Sequence, residues 1–298
     1  LAINDNPLMI RIHLILLHLS GGNFHIHSLF FSLLSFIGSY GIFRFLQSES
    51  SVNNKLLYFA CFLSPSLLIW TSGPLKESWV LFVLGLYLMA FKGVLNKPSV
   101  SKIIFLIICI LGLLTSKSYL SLSLLVGSIF YAIAHFSDSR KWFRIFAALH
   151  LTAILLLFFL GAQLINAIQH KQLLFKQLAE ETAAMSSIYL PNFEGFVEMI
   201  QTLPYAWYNV FVHPALPPNL NPLTFLSAAE HVLYLIILLL PVLFHRSIHV
   251  SEKRLLYFCF SYLLIASSII GLTSPILGAI VRYKTPLIPF YLILLFTF

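Results

Sequence analysis

Long apolar runs follow one another along this chain, separated by short polar breaks. A helix needs about 20 consecutive apolar residues to cross a bilayer, and shorter runs cross only with little tilt. The pattern predicts nine spans, at about 26–46, 55–71, 75–95, 102–116, 119–136, 142–164, 223–244, 253–272 and 284–298. The predicted fold class is all-α, a polytopic transmembrane helical bundle, with 1–298 read as a single transmembrane domain. The start reads differently. Leu8 to Leu19 is apolar but interrupted by Arg11, His13 and His18, the pattern of a helix lying in the membrane interface.

The most informative break lies in Pro65–Leu86, PSLLIWTSGPLKESWVLFVLGL. Gly73-Pro74 ends a helix, because glycine is flexible and proline lacks the donor that a helix interior needs. Lys76 and Glu77 follow at once. Both are costly inside hydrocarbon, so the turn is expected at the membrane surface or at the mouth of a cavity.

The stretch 165–222 interrupts the succession of spans without reading as a disordered linker. Gln163 to Met185 has helical composition, with Leu164, Ile168, Phe175 and Leu178 near one expected apolar face. Pro191 breaks it, and a second helix is expected from Phe193 to Val212. HPALPPNLNP, with four prolines, then predicts an extended, rigid re-entry. The whole stretch is read as a structured segment that caps a cavity. No internal repeat is visible.

Composition agrees with the pattern. Hydrophobic residues make up 59% of the 298 and charged residues only 9%, and the mean hydropathy is +0.91. Soluble domains carry about 25% charged residues, so the chain reads as an integral membrane protein. The net charge of +8 is not a nucleic-acid signal, because it gathers in loops. Arg44, Lys55, Lys92, Lys97, Lys102, Arg140, Lys141, Arg144, Arg246, Lys253 and Arg254 fall in alternate connections, which the positive-inside rule assigns to the cytoplasm. The 165–222 segment, with Glu180, Glu181, Glu194 and Glu198 against Lys171 and Lys176, is then extracytoplasmic, in a chain integral to the cytoplasmic (inner) membrane. The chain opens on Leu1 with no signal pattern, which predicts that one or more N-terminal spans precede it. Cys61, Cys109 and Cys259 sit in apolar runs without CxxC spacing and read as small core residues.

Four cations fall at outer positions close to the membrane: Lys76, Lys117, Arg282 and Lys284. As a set they suit an anionic ligand such as a lipid-linked phosphate; singly, each suits snorkelling to membrane lipids. Glu230 lies about two turns inside its span, an intramembrane carboxylate for which a partner is expected, with Arg282 the guess. Glu77 and Asp5 are the other outer carboxylates able to take a proton from an acceptor hydroxyl, and Glu77 also suits the first turn of a helix. His25 and His27 form H-x-H with no third ligand in view, and no metal site is predicted. Walker loops, Ser-His-Asp patterns and zinc signatures are absent from the sequence.

Four segments carry a resemblance: FHIHSLFFSLLSFIGSYGIFRFL (24–46), LSPSLLIWTSGPLKESWVLFVLGLYL (63–88), HPALPPNLNPLTFLSAAEHVLYLI (213–236) and RYKTPLIPFYLIL (282–294). Together they resemble bacterial envelope-polysaccharide membrane proteins, similar to GT-C glycosyltransferases of the protein O-mannosyltransferase type. Pro65, Lys76-Glu77, Arg282-Tyr283 and Pro286 match that group's arrangement. The resemblance implies transfer of a sugar from a polyprenyl-phosphate lipid to a glycan or protein acceptor at the outer leaflet. The lipid-linked sugar donor would be held by Lys76, Lys117, Arg282, Tyr283 and Lys284. The family's catalytic acid sits in the first outer loop; here only the end of such a loop, with Asp5 and Arg11, is present, and that acid is expected at Asp5 or upstream of Leu1. The alternatives are an O-antigen-type polysaccharide polymerase and a non-enzymatic subunit of an envelope complex.

Overall fold

The computed structural model describes residues 6–181, 186–216, 221–243 and 250–297. In chain order its α-helices are α1 (Asn6–Leu19), α2 (Phe24–Glu49), α3 (Asn54–Tyr58), α4 (Pro65–Thr71), α5 (Lys76–Asn96), α6 (Val100–Ser116) and α7 (Ser118–His135). There follow α8 (Trp142–Leu160), α9 (Ala162–Glu181), α10 (Phe196–Phe211), α11 (Pro222–Leu243), α12 (Val250–Thr273), α13 (Leu277–Tyr283) and α14 (Ile288–Thr297). No strand forms among the described residues, where Ser187 and Ile276 make an isolated antiparallel bridge. The chain is all-α.

The expected spans at 26–46, 75–95, 119–136, 142–164, 223–244 and 253–272 correspond to six helices long and apolar enough to cross a membrane. A seventh arises if α13 and the following Thr285–Thr297, bent by about 40°, form one broken span. The predicted count of nine is not reached, for three local reasons. The run at 55–71 is no single helix: α3 gives way to a π-helical turn, Phe59–Leu63, and then to α4. Ser64 is extended (ψ 126°) ahead of Pro65, as a residue before proline must be, so the turn closes with Ser64 N–H donating to Phe59 O. The run at 102–116 forms α6, whose 17 residues stay below spanning length. The run at 284–298 breaks at its start, where a 3₁₀ turn at Thr285–Leu287 contains Pro286.

The chain divides into two compact units, one running to Leu125 and including Thr285–Thr297, the other Val126–Lys284. In the first, α2 and α5 cross backbone to backbone. A Cβ added at Gly38 would collide with the Leu81 carbonyl, and one at Gly85 with the Gly38 carbonyl. Small residues at a crossing allow this approach, which in a lipid setting is the main source of helix–helix attraction. Ser35 Oγ donates to Thr71 O (2.8 Å) and Ser32 Oγ to Ser72 O (2.6 Å), so α2 also holds the end of α4. His13 Nδ1 and His27 Nε2 share a 2.9 Å hydrogen bond that fastens α1 to α2.

In the second unit, α10 lies against the last turns of α12. Gly271 admits the Ala206 carbonyl, and Trp207 Nε1 donates to Ser268 Oγ at 2.9 Å. Ile165, Ile168, Phe193, Met199, Ala206 and Leu272 form the core beneath α9 and α10. The buried face of α9 is Ile165, Ile168, Gln172 and Ala179, while Leu164 and Leu178 are exposed, so the expected face is rotated. Gln172 turns inward because its amide donates to Pro191 O at 2.7 Å. The second expected helix is α10; the expected extended re-entry at 213–222 begins instead with a 3₁₀ turn, His213–Ala215, and its residues 217–220 lie outside the described residues. Ile188 N–H donates to Pro275 O and Leu277 N–H to Ser186 O, so the segment after residue 185 is stitched to the link between α12 and α13.

Candidate functional site

Two clusters gather half of the expected site residues, one in each unit. In the first unit Glu77 stands in the first turn of α5, directly after the Gly73-Pro74 break. Ser78 Oγ donates to Thr71 O (3.0 Å) and to Gly73 O (2.8 Å), which folds that break tightly onto α5. Lys117 sits between α6 and α7, and its Nζ donates to Glu77 Oε1 at 2.8 Å. Both side chains are sealed, Glu77 at 0% exposure and Lys117 at 5%. Trp79 Nε1 donates to Ser116 Oγ at 3.0 Å beside them. The Lys117 ammonium also lies 5.9 Å from the centre of the Tyr119 ring. The result is a neutral, closed ion pair. Lys76, one residue earlier, is half-buried.

The second cluster lies near the start of α11. Glu230 is 4% exposed and accepts a hydrogen bond from the hydroxyl of Tyr234, one helical turn further on. Lys284, 7% exposed, closes α13 and donates through Nζ to Val210 O on α10 at 2.7 Å. Its ammonium interacts electrostatically with the Glu230 carboxylate and with His231. The expected carboxylate and an expected cation of this unit are thereby brought together.

His231 adjoins Glu230 on α11. It is buried, and its Nδ1 lies 2.6 Å from Ser227 O. A carbonyl only accepts, so Nδ1 carries the hydrogen, and in the neutral ring Nε2 holds a lone pair. Among the described residues that buried Nε2 meets no hydrogen-bond partner. Buried polar atoms are almost always satisfied, so an orphan of this kind marks a place for a water or a substrate donor.

Arg282 and Tyr283 are half-buried on α13, where Tyr283 packs edge-on to Phe175 with ring centres 6.0 Å apart. Asp5 lies outside the described residues. Among the described residues no group of three or more His, Cys, Asp or Glu side chains is placed to hold a metal ion.

The fold and these clusters define an all-helical chain in which, among the described residues, six or seven helices are long and apolar enough to cross a membrane and ionisable side chains are sealed inside the packing. No protein-family model, no curated protein and no solved structure matches it.

Proposed function

We propose that this chain is a membrane glycosyltransferase of the GT-C type. It would move a sugar from a polyprenyl-phosphate carrier to a glycan or protein acceptor at the extracytoplasmic face of the inner membrane. One observation carries the reading: Glu230 and His231, more than two turns into α11, are buried beside the Lys284 ammonium. Ionisable groups inside apolar helices are costly, and they mark substrate or proton pathways by default.

The chemistry follows from the three groups. Lys284, with Arg282 near it in sequence, offers positive charge to the carrier's phosphate and to the charge that grows on its leaving oxygen. The Glu230 carboxylate receives the proton of the acceptor hydroxyl, and the neutral His231 Nε2 orients that hydroxyl. The acceptor oxygen forms its bond to the anomeric carbon as the bond from that carbon to the phosphate oxygen breaks, and the electron pair leaves with the polyprenyl phosphate. Glu230 is itself held in place by the Tyr234 hydroxyl.

A second reading, a non-enzymatic membrane subunit, draws support from the Glu77–Lys117 pair. A carboxylate already neutralised by a buried lysine serves architecture more readily than proton transfer.

The test uses the purified chain in lipid nanodiscs with undecaprenyl phosphate as the probe, phosphatidic acid as the control anion, and a polyprenyl-phosphate-linked hexose for turnover. The proposal expects undecaprenyl phosphate to be preferred, that preference to fall in Lys284→Met and recover in Lys284→Arg, and turnover to fall in Glu230→Gln with binding retained. Equal binding of the two anions, with no hexose transfer, overturns it.

A further inference from the structure

Three tyrosines and a histidine form a continuous aromatic ledge on the stretch between α9 and α11. Tyr189 meets Tyr205 edge-on with ring centres 5.9 Å apart, Tyr205 meets Tyr208 at 6.2 Å, and Tyr208 meets His213 at 5.7 Å. Tyr205 and Tyr208 are three residues apart on α10, so they share a helix face. The ledge is open: Tyr189 is 72% exposed and Tyr208 42%.

It is also held still. Asn209 is fully buried, and its two ends serve the two ends of the ledge. Its Nδ2 donates to Tyr189 O (3.4 Å) and its Oδ1 accepts from His213 Nδ1 (3.1 Å). Burial holds the His213 ring below the usual histidine range, which keeps it neutral for this role.

At the Tyr189 end the ledge runs into a cleft of about 200 Å³ lined by Lys176, Glu180, Ser187 and Tyr189. Lys176 Nζ donates to Leu190 O (2.8 Å) and to Asn192 Oδ1, which leaves one ammonium proton for a ligand. Glu180 lies within electrostatic range of that ammonium, so the cleft pairs a cation with an anion.

We infer that the ledge and cleft form a saccharide-binding surface for an uncharged glycan chain. The exposed ring faces suit the C–H faces of pyranose rings, and tyrosine combines an apolar body with a hydroxyl able to bond sugar hydroxyls. The cleft offers an ammonium donor, a carboxylate acceptor and a hydroxyl, which satisfy vicinal hydroxyls without favouring a net charge. A phosphate headgroup would meet Glu180, and an acyl chain would strand both charges, so neutral sugar is the better fit. The inference does not rest on the proposed transferase chemistry, since a surface of this kind can hold a glycan without acting on it.

The experiment is saturation-transfer NMR on the protein in nanodiscs with maltoheptaose, mannohexaose and chitohexaose as probes. Transfer from protein to the ring C–H protons of at least one probe is expected. Loss of one stacked ring should weaken binding about fivefold in Tyr189→Ala and in Tyr208→Ala, while Tyr208→Phe keeps most of it. These side chains are exposed, so folding is preserved, and an unchanged far-UV CD spectrum checks it. Absence of transfer from all three probes, or equal transfer in the alanine variants, overturns the inference. So does broadening of fluorotyrosine signals at these positions by chain-spin-labelled lipid, which would make the ledge a membrane-interface belt.

Discussion

Glu77 Oε1 accepts a 2.8 Å hydrogen bond from Lys117 Nζ, and the pair closes the N-terminal end of α5 against the junction of α6 and α7. Both charges are buried, so each is worth little alone and much in company. Breaking a buried pair by removing one partner costs about 3–5 kcal/mol, because the charge left behind is uncompensated. Glu77→Gln and Lys117→Met should each lower the unfolding midpoint in denaturing detergent. The double variant should recover much of the loss, since it strands no charge. Additive losses in that double-mutant cycle would contradict a closed pair.

The crossing of α2 on α5 makes a separate prediction. A methyl group at Gly38 meets the Leu81 carbonyl, a backbone atom that cannot swing aside. Gly38→Ala should cost about 1–3 kcal/mol through forced separation of the helices. At Gly73 nothing lies within 4 Å of an added Cβ, so Gly73→Ala should leave the midpoint nearly unchanged. Detergent unfolding of the two variants side by side separates close approach from glycine loss as such.

His13 supplies a pH dependence. Burial first, and the nearby His27 ring second, hold its pKa below the ordinary 6.5. The fold therefore prefers the neutral ring, and the unfolded chain binds more protons in the interval between the two values. Its contribution is complete above pH 6.5 and is lost as the pH falls through the lowered folded value. Amide exchange over α1, corrected for the intrinsic rate, should accelerate on going from about pH 7.5 to about pH 5. His13→Asn should abolish most of that acceleration; an unchanged response would place its origin elsewhere.

Asn209 is the buried support of the tyrosine ledge. Asn209→Ala leaves the His213 ring and the Tyr189 carbonyl without their shared partner, at a cost of about 1–3 kcal/mol. Faster amide exchange is expected at 186–195, with α2 and α5 unaffected. Exchange that rises uniformly through the chain would mean that Asn209 supports the global fold and not the ledge.

Much of the architecture was legible in periodicity and composition. Long apolar runs marked α2, α5, α7, α8, α11 and α12, because a spanning helix needs little more than length and hydrophobicity. The same criterion misjudged 55–71, where Pro65 cuts a run whose average composition is apolar. It placed Ile168 correctly on the buried face of α9 but missed Gln172, which is drawn inward by the Pro191 carbonyl, a contact from a distant segment. At the site, Glu77, Lys117, Glu230 and Lys284 stood out as charges beside apolar runs. The link from Lys284 to Val210 could not be read, since a backbone carbonyl has no sequence signature. The ledge was missed for a similar reason: Tyr189 reaches Tyr205 only after the chain folds back.

The antiparallel bridge between Ser187 and Ile276 ties two distant stretches of the second unit together. Ile276 caps the start of α13, and Lys284 caps its end. Tyr189, two residues beyond the bridge, is therefore tethered to the near end of a short helix whose far end carries the ammonium beside Glu230 and His231.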